Sequence, residues 1–352
     1  LVESTLFKDI EIVTPDGVFQ GDVLIKNGKF AAIEPHISES AEVVIHEAGL
    51  TLLPGVIDPH VHFRDPGATH KETIETGSHA AAAGGVTSFF DMPNTNPATI
   101  SRETMATKKL HASKTSLVNY NFFIGATADN LNELMSVENV PGIKIYVGSS
   151  TGSLLVDDSD SLESIFSKTK KIIAVHSEDE AMIQEKKEQY SDSLDVLDHE
   201  KIRSAEGALK STIRLCDLAI KYQHRLHICH LTTKQEVDYL KSLGVQSLIT
   251  TEVTPQHLLT FSPDILNKWG TKAQINPPIR SREHQEALFQ ALKEGVIHCL
   301  GSDHAPHLET EKAQVFGQAP SGMPGVETSL PLFLNLVSQG HFSIEACARL
   351  MS

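Results

Sequence analysis

Apolar positions in this chain fall into two textures. Up to about residue 52 they alternate with charged and polar residues in short runs, as in DIEIVTPDGVFQGDVLIKNGKFAAIEP. Such alternation predicts half-buried strands, because successive side chains of a strand point to opposite faces. Pro15-Asp16-Gly17 and Asn27-Gly28 punctuate the runs, and Asn-Gly between two alternating runs predicts a two-residue hairpin, a turn that needs positive φ at both positions. Residues 1–52 thus predict a small β unit.

From residue 53 the apolar runs become continuous. Eight stand out: GVIDPHVHF, GGVTSFFDMPN, SLVNYNFFIGAT, GIKIYVGSS, KIIAVHSED, RLHICHLTT, SLITTEVTP and IHCLGSDHAPH. Runs of this kind suit strands covered on both faces. Stretches such as KETIETGSHAAAAGG, SAEGALKSTIRLCDLAIKYQ, TTKQEVDYLKSLG and SREHQEALFQALKEG lie between them. These predict helices, several closing on glycine, a common C-terminal stop. Strand–helix alternation predicts an α/β fold: a (β/α)8 TIM-like barrel over residues 53–352 beside a small β-sandwich-like unit over residues 1–52. A doubly wound sheet gives the same alternation. Chemistry-capable residues favour the barrel, because His60 and His62, Asn94, Lys144, His176, His230 and Asp303 end different runs. A barrel gathers all its strand ends at one rim, whereas a doubly wound sheet concentrates its ligands at one switch point.

Composition narrows the partners. A hydrophobic content of 40% is that of a globular protein, and a formal net charge of −15 opposes nucleic acid or an anionic membrane as the main partner. No apolar stretch reaches the roughly 18–20 residues that cross a bilayer, and LVESTLFKDIEIV alternates with charges where a signal peptide would have an apolar core. Cys216, Cys229, Cys299 and Cys347 form no C-x-x-C pair. Free thiols in a reducing cytoplasm fit them best. The expectation is a cytoplasmic protein acting on a small molecule, with a homodimer left open.

The chemistry starts in GVIDPHVHFRDPG, residues 55–67. His60 and His62 are two apart at the end of an apolar run, so in a strand both imidazoles share a face and can chelate one divalent cation. His176 in AVHSED, His230 in ICHLTT and Asp303 in GSDHAPH each end a further run. Burying so many polar groups at one rim is unfavourable unless something satisfies them. Arg64 follows the histidine pair by two residues and is expected on the same face, where a guanidinium can hold a carboxylate bidentately. Glu252 and His257 in TTEVTPQHLLT are read as structural, and SEDEAMIQEKKEQY as a solvated acidic helix.

D-P-H-V-H at 58–62, the lysine of GIKIY, the later single histidines and SDHAPH resemble the amidohydrolase superfamily. The local motifs HVHFRDPG, DMPNTNP, INPPIR and SDHAPH are similar to those of dihydroorotases, from about residue 50 to about residue 330. The resemblance implies a hydrolase that interconverts dihydroorotate and N-carbamoyl-aspartate in pyrimidine synthesis on two Zn²⁺ ions. His60, His62 and Asp303 would hold the more buried ion and His176 and His230 the second. Lys144, carboxylated by CO₂, would bridge both, because a carbamate ligates a cation and an ammonium does not. Some relatives use an aspartate from the same region instead. Asp157 and Asp158 are its counterparts here, although their place before a helix suits capping. The metals would lower the pKa of a bridging water and polarise the ring carbonyl, and Asp303 would carry the proton. Arg64, Asn94 and His307 would bind the substrate carboxylate, with Asn276 near the ring.

Two other readings stay open. One is an allantoinase or a hydantoinase (dihydropyrimidinase), whose substrates lack the ring carboxylate. The other is a non-catalytic dihydroorotase-like structural partner, although such domains tend to lose metal ligands and this sequence keeps every one. In relatives a C-terminal segment completes the small β unit, so the resemblance also implies a longer protein.

Overall fold

The computed structural model describes residues 3–148, 154–244 and 248–352. The chain divides into two units, residues 1–56 with 333–352 and residues 57–332. Residues 333–352, which the sequence assigned to the second unit, thus group with the N-terminal strands. The helix Ile344–Met351 buries Cys347, Ala348 and Met351, and the Arg349 guanidinium donates to the Pro15 carbonyl (2.9 Å).

The first unit is a sheet of β1 (Ser4–Thr14), β2 (Gly17–Lys26), β3 (Lys29–Glu34), β4 (Val43–Ile45) and β5 (Thr51–Leu52). Its order is β3-β2-β1-β4, with β5 also on β1. Asn27 (φ 50°) and Gly28 (φ 72°) make the turn between Lys26 and Lys29, which pair. This is the tight hairpin that the Asn-Gly step predicts.

All eight apolar runs of the second unit carry strands. They are β6 (Val56–Val61), β7 (Val86–Asp91), β8 (Asn119–Phe122) continued after Phe123 by β9 (Ile124–Gly125), β10 (Ile143–Tyr146), β11 (Ile173–His176), β12 (Leu226–Ile228), β13 (Ile249–Val253) and β14 (Cys299–Leu300). Ser149 and Ser150, the end of the run GIKIYVGSS, lie outside the described residues. Pairing follows chain order, β6-β7-β8 in one sheet and β9 to β14 in the other. The β7–β8 pair and those from β9 through β14 are parallel. The Phe123 amide donates to the Asp91 carbonyl (3.0 Å), and a parallel bridge joins Val61 to His304, just past β14. The unit is therefore α/β with parallel sheets. Parallel strands present their C-terminal ends on one side, and the chemistry-bearing residues follow those ends.

Each helix predicted between the runs is present: Ile74–Ala83, Ala205–Tyr222, Lys234–Leu243 and Arg282–Lys293. Hydroxyls at their N-termini take free backbone N–H groups, as Thr73 does for Thr76, Ser204 for Gly207 and Thr233 for Glu236. No described helix is long and apolar enough to cross a membrane.

Candidate active site

The ends of β6, β7 and β14 are tied together by carboxylates. Asp58, two residues before His60, accepts the backbone N–H of His60 (3.2 Å) and of Ser302 (3.0 Å) on Oδ1. Its burial raises the carboxyl pKa to about 6. Asp91, at the end of β7, accepts the Phe63 N–H (2.8 Å) and pairs with the buried Lys108 ammonium. These bonds fix the turn that carries His60, His62 and Arg64 against the loop that carries Asp303. Asp303 (φ 48°) and His230 (φ 33°) both have left-handed backbone. Such strain in residues other than glycine persists where the surroundings hold it, and it gathers at functional sites.

His60 Nε2 and His62 Nε2 lie 3.1 Å apart, with Asp303 Oδ1 at 3.3 and 3.0 Å from them. His60 Nδ1 meets the Glu252 carboxylate, which also accepts from His227 Nε2 (3.1 Å) and from the His230 backbone N–H (3.2 Å). Burial opposes ionisation of Glu252, but His60 and His227 more than offset it and hold its pKa well below the usual value. An ionised carboxylate only accepts, so Nδ1 carries the His60 hydrogen and Nε2 presents a lone pair. That lone pair faces the buried Asp303 carboxylate. Acceptor faces acceptor with no proton between them, an arrangement that a cation relieves. Asn94 Oδ1 holds His62 by its other nitrogen, Nδ1 (2.7 Å).

The second imidazole pair repeats this logic. His176 Nε2–H donates to Glu178 Oε2 (2.6 Å), leaving its Nδ1 lone pair 3.0 Å from His230 Nε2. Burial would raise the Glu178 pKa, yet the Arg203 guanidinium and His176 bring it down to about 2. A carboxylate behind a histidine is the usual orienting partner of a metal ligand. Lys144 projects from β10 with no exposure, donates to Cys229 Sγ (3.0 Å) and lies 5.2 Å from the centre of the Tyr146 ring. Among the described residues it has no carboxylate within ion-pair distance. A buried amine without a counter-charge is strongly unfavourable. Conversion to an anionic carbamate beside a cation would remove that conflict, and the donor set fits a metal centre.

All ten residues singled out from the sequence line one cavity of about 380 Å³. His60, His62, Lys144, His176, His230 and Asp303 line part of its wall, and Arg64, Asn94, Asn276 and His307 stand with them. Arg64 donates through Nε to the Pro306 carbonyl (3.0 Å), and its Nη2 lies 3.1 Å from His307 Nε2. His307 Nδ1 faces the Lys71 ammonium (3.0 Å), which can only donate, so the hydrogen sits on Nε2 and goes to the Ser321 carbonyl (3.1 Å). Burial, Arg64 and Lys71 lower the His307 pKa to about 4. The Arg64–His307 contact therefore sets one donor against another. Among the described residues Arg64 has no carboxylate within ion-pair distance, so its guanidinium stays open to an anion in the cavity. Gly322 (φ 134°) closes the wall where a Cβ would lie 2.6 Å from the Ala305 carbonyl oxygen and 3.1 Å from His307 Nε2.

Asp157 and Asp158 are not among the residues lining this cavity. Asp158 caps the helix Ser159–Lys168, accepting the Ser161 N–H (2.8 Å). Two readings need correction. Glu252 is not merely structural, because it orients His60. Glu178 is not part of a solvated acidic face, because it is buried and bound to His176 and Arg203. The signals were there: a glutamate two residues after a strand-end histidine, and a lone glutamate inside an apolar run. His257 does tie the structure, from Thr254 Oγ1 (2.8 Å) to the Pro277 carbonyl (2.9 Å). Tyr146, also overlooked, lines the cavity with a buried hydroxyl that has no hydrogen-bond partner among the described residues.

The chain is similar to known proteins in sequence and in fold. Residues 49–188 match the dihydro-orotase-like family. A dihydroorotase of Methanosarcina acetivorans is 35% identical over 343 residues, 94% of this chain and 73% of that one. One of Bacillus cytotoxicus is 34% identical over 97% of this chain and 80% of that one. Among solved structures, L-hydantoinase (dihydropyrimidinase) from Arthrobacter aurescens matches with a TM-score of 0.94 at 29% identity, covering 100% of this chain and 81% of that one. Dihydropyrimidinase from Brevibacillus agri matches at 0.89 and 26% identity, over 99% and 80%. The fold is that of the cyclic amidohydrolases, hydrolases that act on cyclic amides. Within that class the chain belongs to the dihydroorotase family, which implies a metal cofactor.

Proposed function

We propose that this chain catalyses the reversible hydrolysis of (S)-dihydroorotate to N-carbamoyl-L-aspartate, a step of de novo pyrimidine (UMP) synthesis, on two zinc ions. The observation that carries the reading is Arg64, a guanidinium that opens onto the cavity holding the imidazoles and has no carboxylate within ion-pair distance among the described residues. Dihydroorotate carries a ring carboxylate, and a planar cation is its natural partner. His60, His62 and Asp303 would hold one zinc ion and His176 and His230 the other, with Lys144 bridging as its carbamate. When bound, the ions would activate a water near neutral pH and polarise the scissile carbonyl.

The chain's own residues do the rest. Glu252, Glu178 and Asn94 fix the rings of His60, His176 and His62. Arg64 anchors the carboxylate, with Asn94 and His307 beside it, and Asn276 meets the ring. Asp303 takes the water's proton as the new C–O bond forms and gives it to the ring nitrogen as the C–N bond breaks. In the ring-closing direction the same group first removes that proton. The strand order, the parallel pairs and the Val61–His304 bridge support a closed (β/α)8 barrel over residues 57–332. A second reading, a hydantoinase or dihydropyrimidinase, draws on the structural likeness to those enzymes, but their named substrates offer Arg64 no carboxylate. Arg64→Met tests the assignment. Loss of a desolvated charge partner costs about 2–5 kcal/mol, so kcat/KM for dihydroorotate is expected to fall by at least about 30-fold with metal content unchanged. An unaffected kcat/KM would remove Arg64 from the substrate site.

A further inference from the structure

Asn276 is held from behind by a residue outside the cavity lining. His199, buried at the start of the short helix His199–Ile202, places Nε2 at 2.9 Å from the Ile275 carbonyl oxygen and 3.0 Å from Asn276 Oδ1. A backbone carbonyl can only accept, so Nε2 carries the hydrogen. The Asn276 atom facing that N–H is then the amide oxygen, because an amide NH2 there would set donor against donor. Burial and the nearby Arg203 lower the His199 pKa to about 4, which keeps the ring neutral at physiological pH. With its oxygen occupied, Asn276 turns its NH2 group away from His199, and that nitrogen has no acceptor among the described residues. Asn276 itself lines the cavity.

We propose that His199 is a positioning residue that fixes the Asn276 amide so that it meets the substrate as a hydrogen-bond donor, and the atom it recognises is a ring carbonyl oxygen. The proposal rests on the cyclic-amide reading of the cavity and deepens it. A cyclic amide offers both ring N–H donors and ring carbonyl acceptors, and a freely flipping asparagine would accept either. A locked one selects the acceptor and rejects a ring bound in the flipped orientation. Four residues on, Arg203 holds Glu178 behind His176. One short segment thus supports both the second imidazole pair and the substrate amide.

The test compares steady-state kinetics of the zinc-loaded wild type with His199→Ala, His199→Gln, Asn276→Ala, Asn276→Asp and the double variant His199→Ala/Asn276→Ala. Wild-type turnover of dihydroorotate tests the functional reading by itself. If that fails, the same comparison is run with whichever cyclic amide the wild type opens, so the two failures are separable. Loss of one neutral hydrogen bond predicts a rise in KM of about five- to tenfold for Asn276→Ala, with kcat within about twofold. His199→Ala should show the same pattern, His199→Gln should recover most of it by supplying an N–H, and the double variant should be no worse than Asn276→Ala. Asn276→Asp keeps the oxygen that His199 binds but replaces the donor, so it should be at least as impaired as Asn276→Ala. A wild-type KM for Asn276→Asp, or additive losses in the double variant, would overturn the proposal. The two Asn276 variants decide it even if His199→Ala does not fold.

Discussion

The proposed role of Asp303 joins two demands, a carboxylate that would bind a cation and one that would move a proton. Its backbone is left-handed, and its carboxylate faces two imidazoles. Asp303→Asn keeps the shape, weakens the ligand and removes the base. Its kcat is expected to drop by about 10²- to 10⁴-fold in both directions while the fold survives, and more than a tenth of wild-type turnover would be too mild for a general base. Glu178 and Glu252 act one layer back. Glu178→Gln and Glu252→Gln should each weaken metal affinity by about 10- to 100-fold, read by titration against a competing chelator. Unchanged affinity would reduce them to packing residues. The ligands themselves were legible because imidazoles rarely end apolar runs. Their supporting carboxylates were not, since Glu178 sits in a string of acidic residues that looks solvated and its partner Arg203 lies far along the chain. His199 was hidden for the same reason, because its meaning depends on Ile275 and Asn276, residues that only folding brings near.

Elements were read more easily than their contacts. The eight apolar runs carry the strands because a strand buried on both faces needs nearly every residue apolar, so a polar side chain at its end stands out. Their lengths were less legible. β14 is only Cys299–Leu300, and Phe123 interrupts the β8–β9 run. Of the two candidate bridges, Lys144 lines the cavity, whereas Asp158 stands at a helix N-terminus. Asp158→Ala should lower unfolding stability by about 0.5–2 kcal/mol in urea melts, the usual loss for an N-cap, and leave metal content untouched. Lys144→Ala should lose bound zinc and activity together. Full two-metal loading in Lys144→Ala, measured by elemental analysis, would end its role as the bridge.

For the molecule as a whole, a formal net charge of −15 and one cavity of about 380 Å³ that gathers the chemistry-bearing residues point to a small-molecule enzyme. The sequence marked the β-rich N-terminal unit through its hairpin. It gave no sign that residues 333–352 group with that unit, since the apolar stripe of Ile344–Met351 shows that a surface is covered and not which one. The central claim is that this member of the dihydroorotase family acts on a ring bearing a carboxylate, although its fold is shared with hydantoinases. The most direct test is kcat/KM of the zinc-loaded wild type for dihydroorotate beside dihydrouracil, hydantoin and allantoin. Dihydroorotate is expected to be preferred over dihydrouracil, the same ring without the carboxylate, by at least about 30-fold, the worth of one desolvated charge pair. Faster opening of dihydrouracil, hydantoin or allantoin would contradict the account.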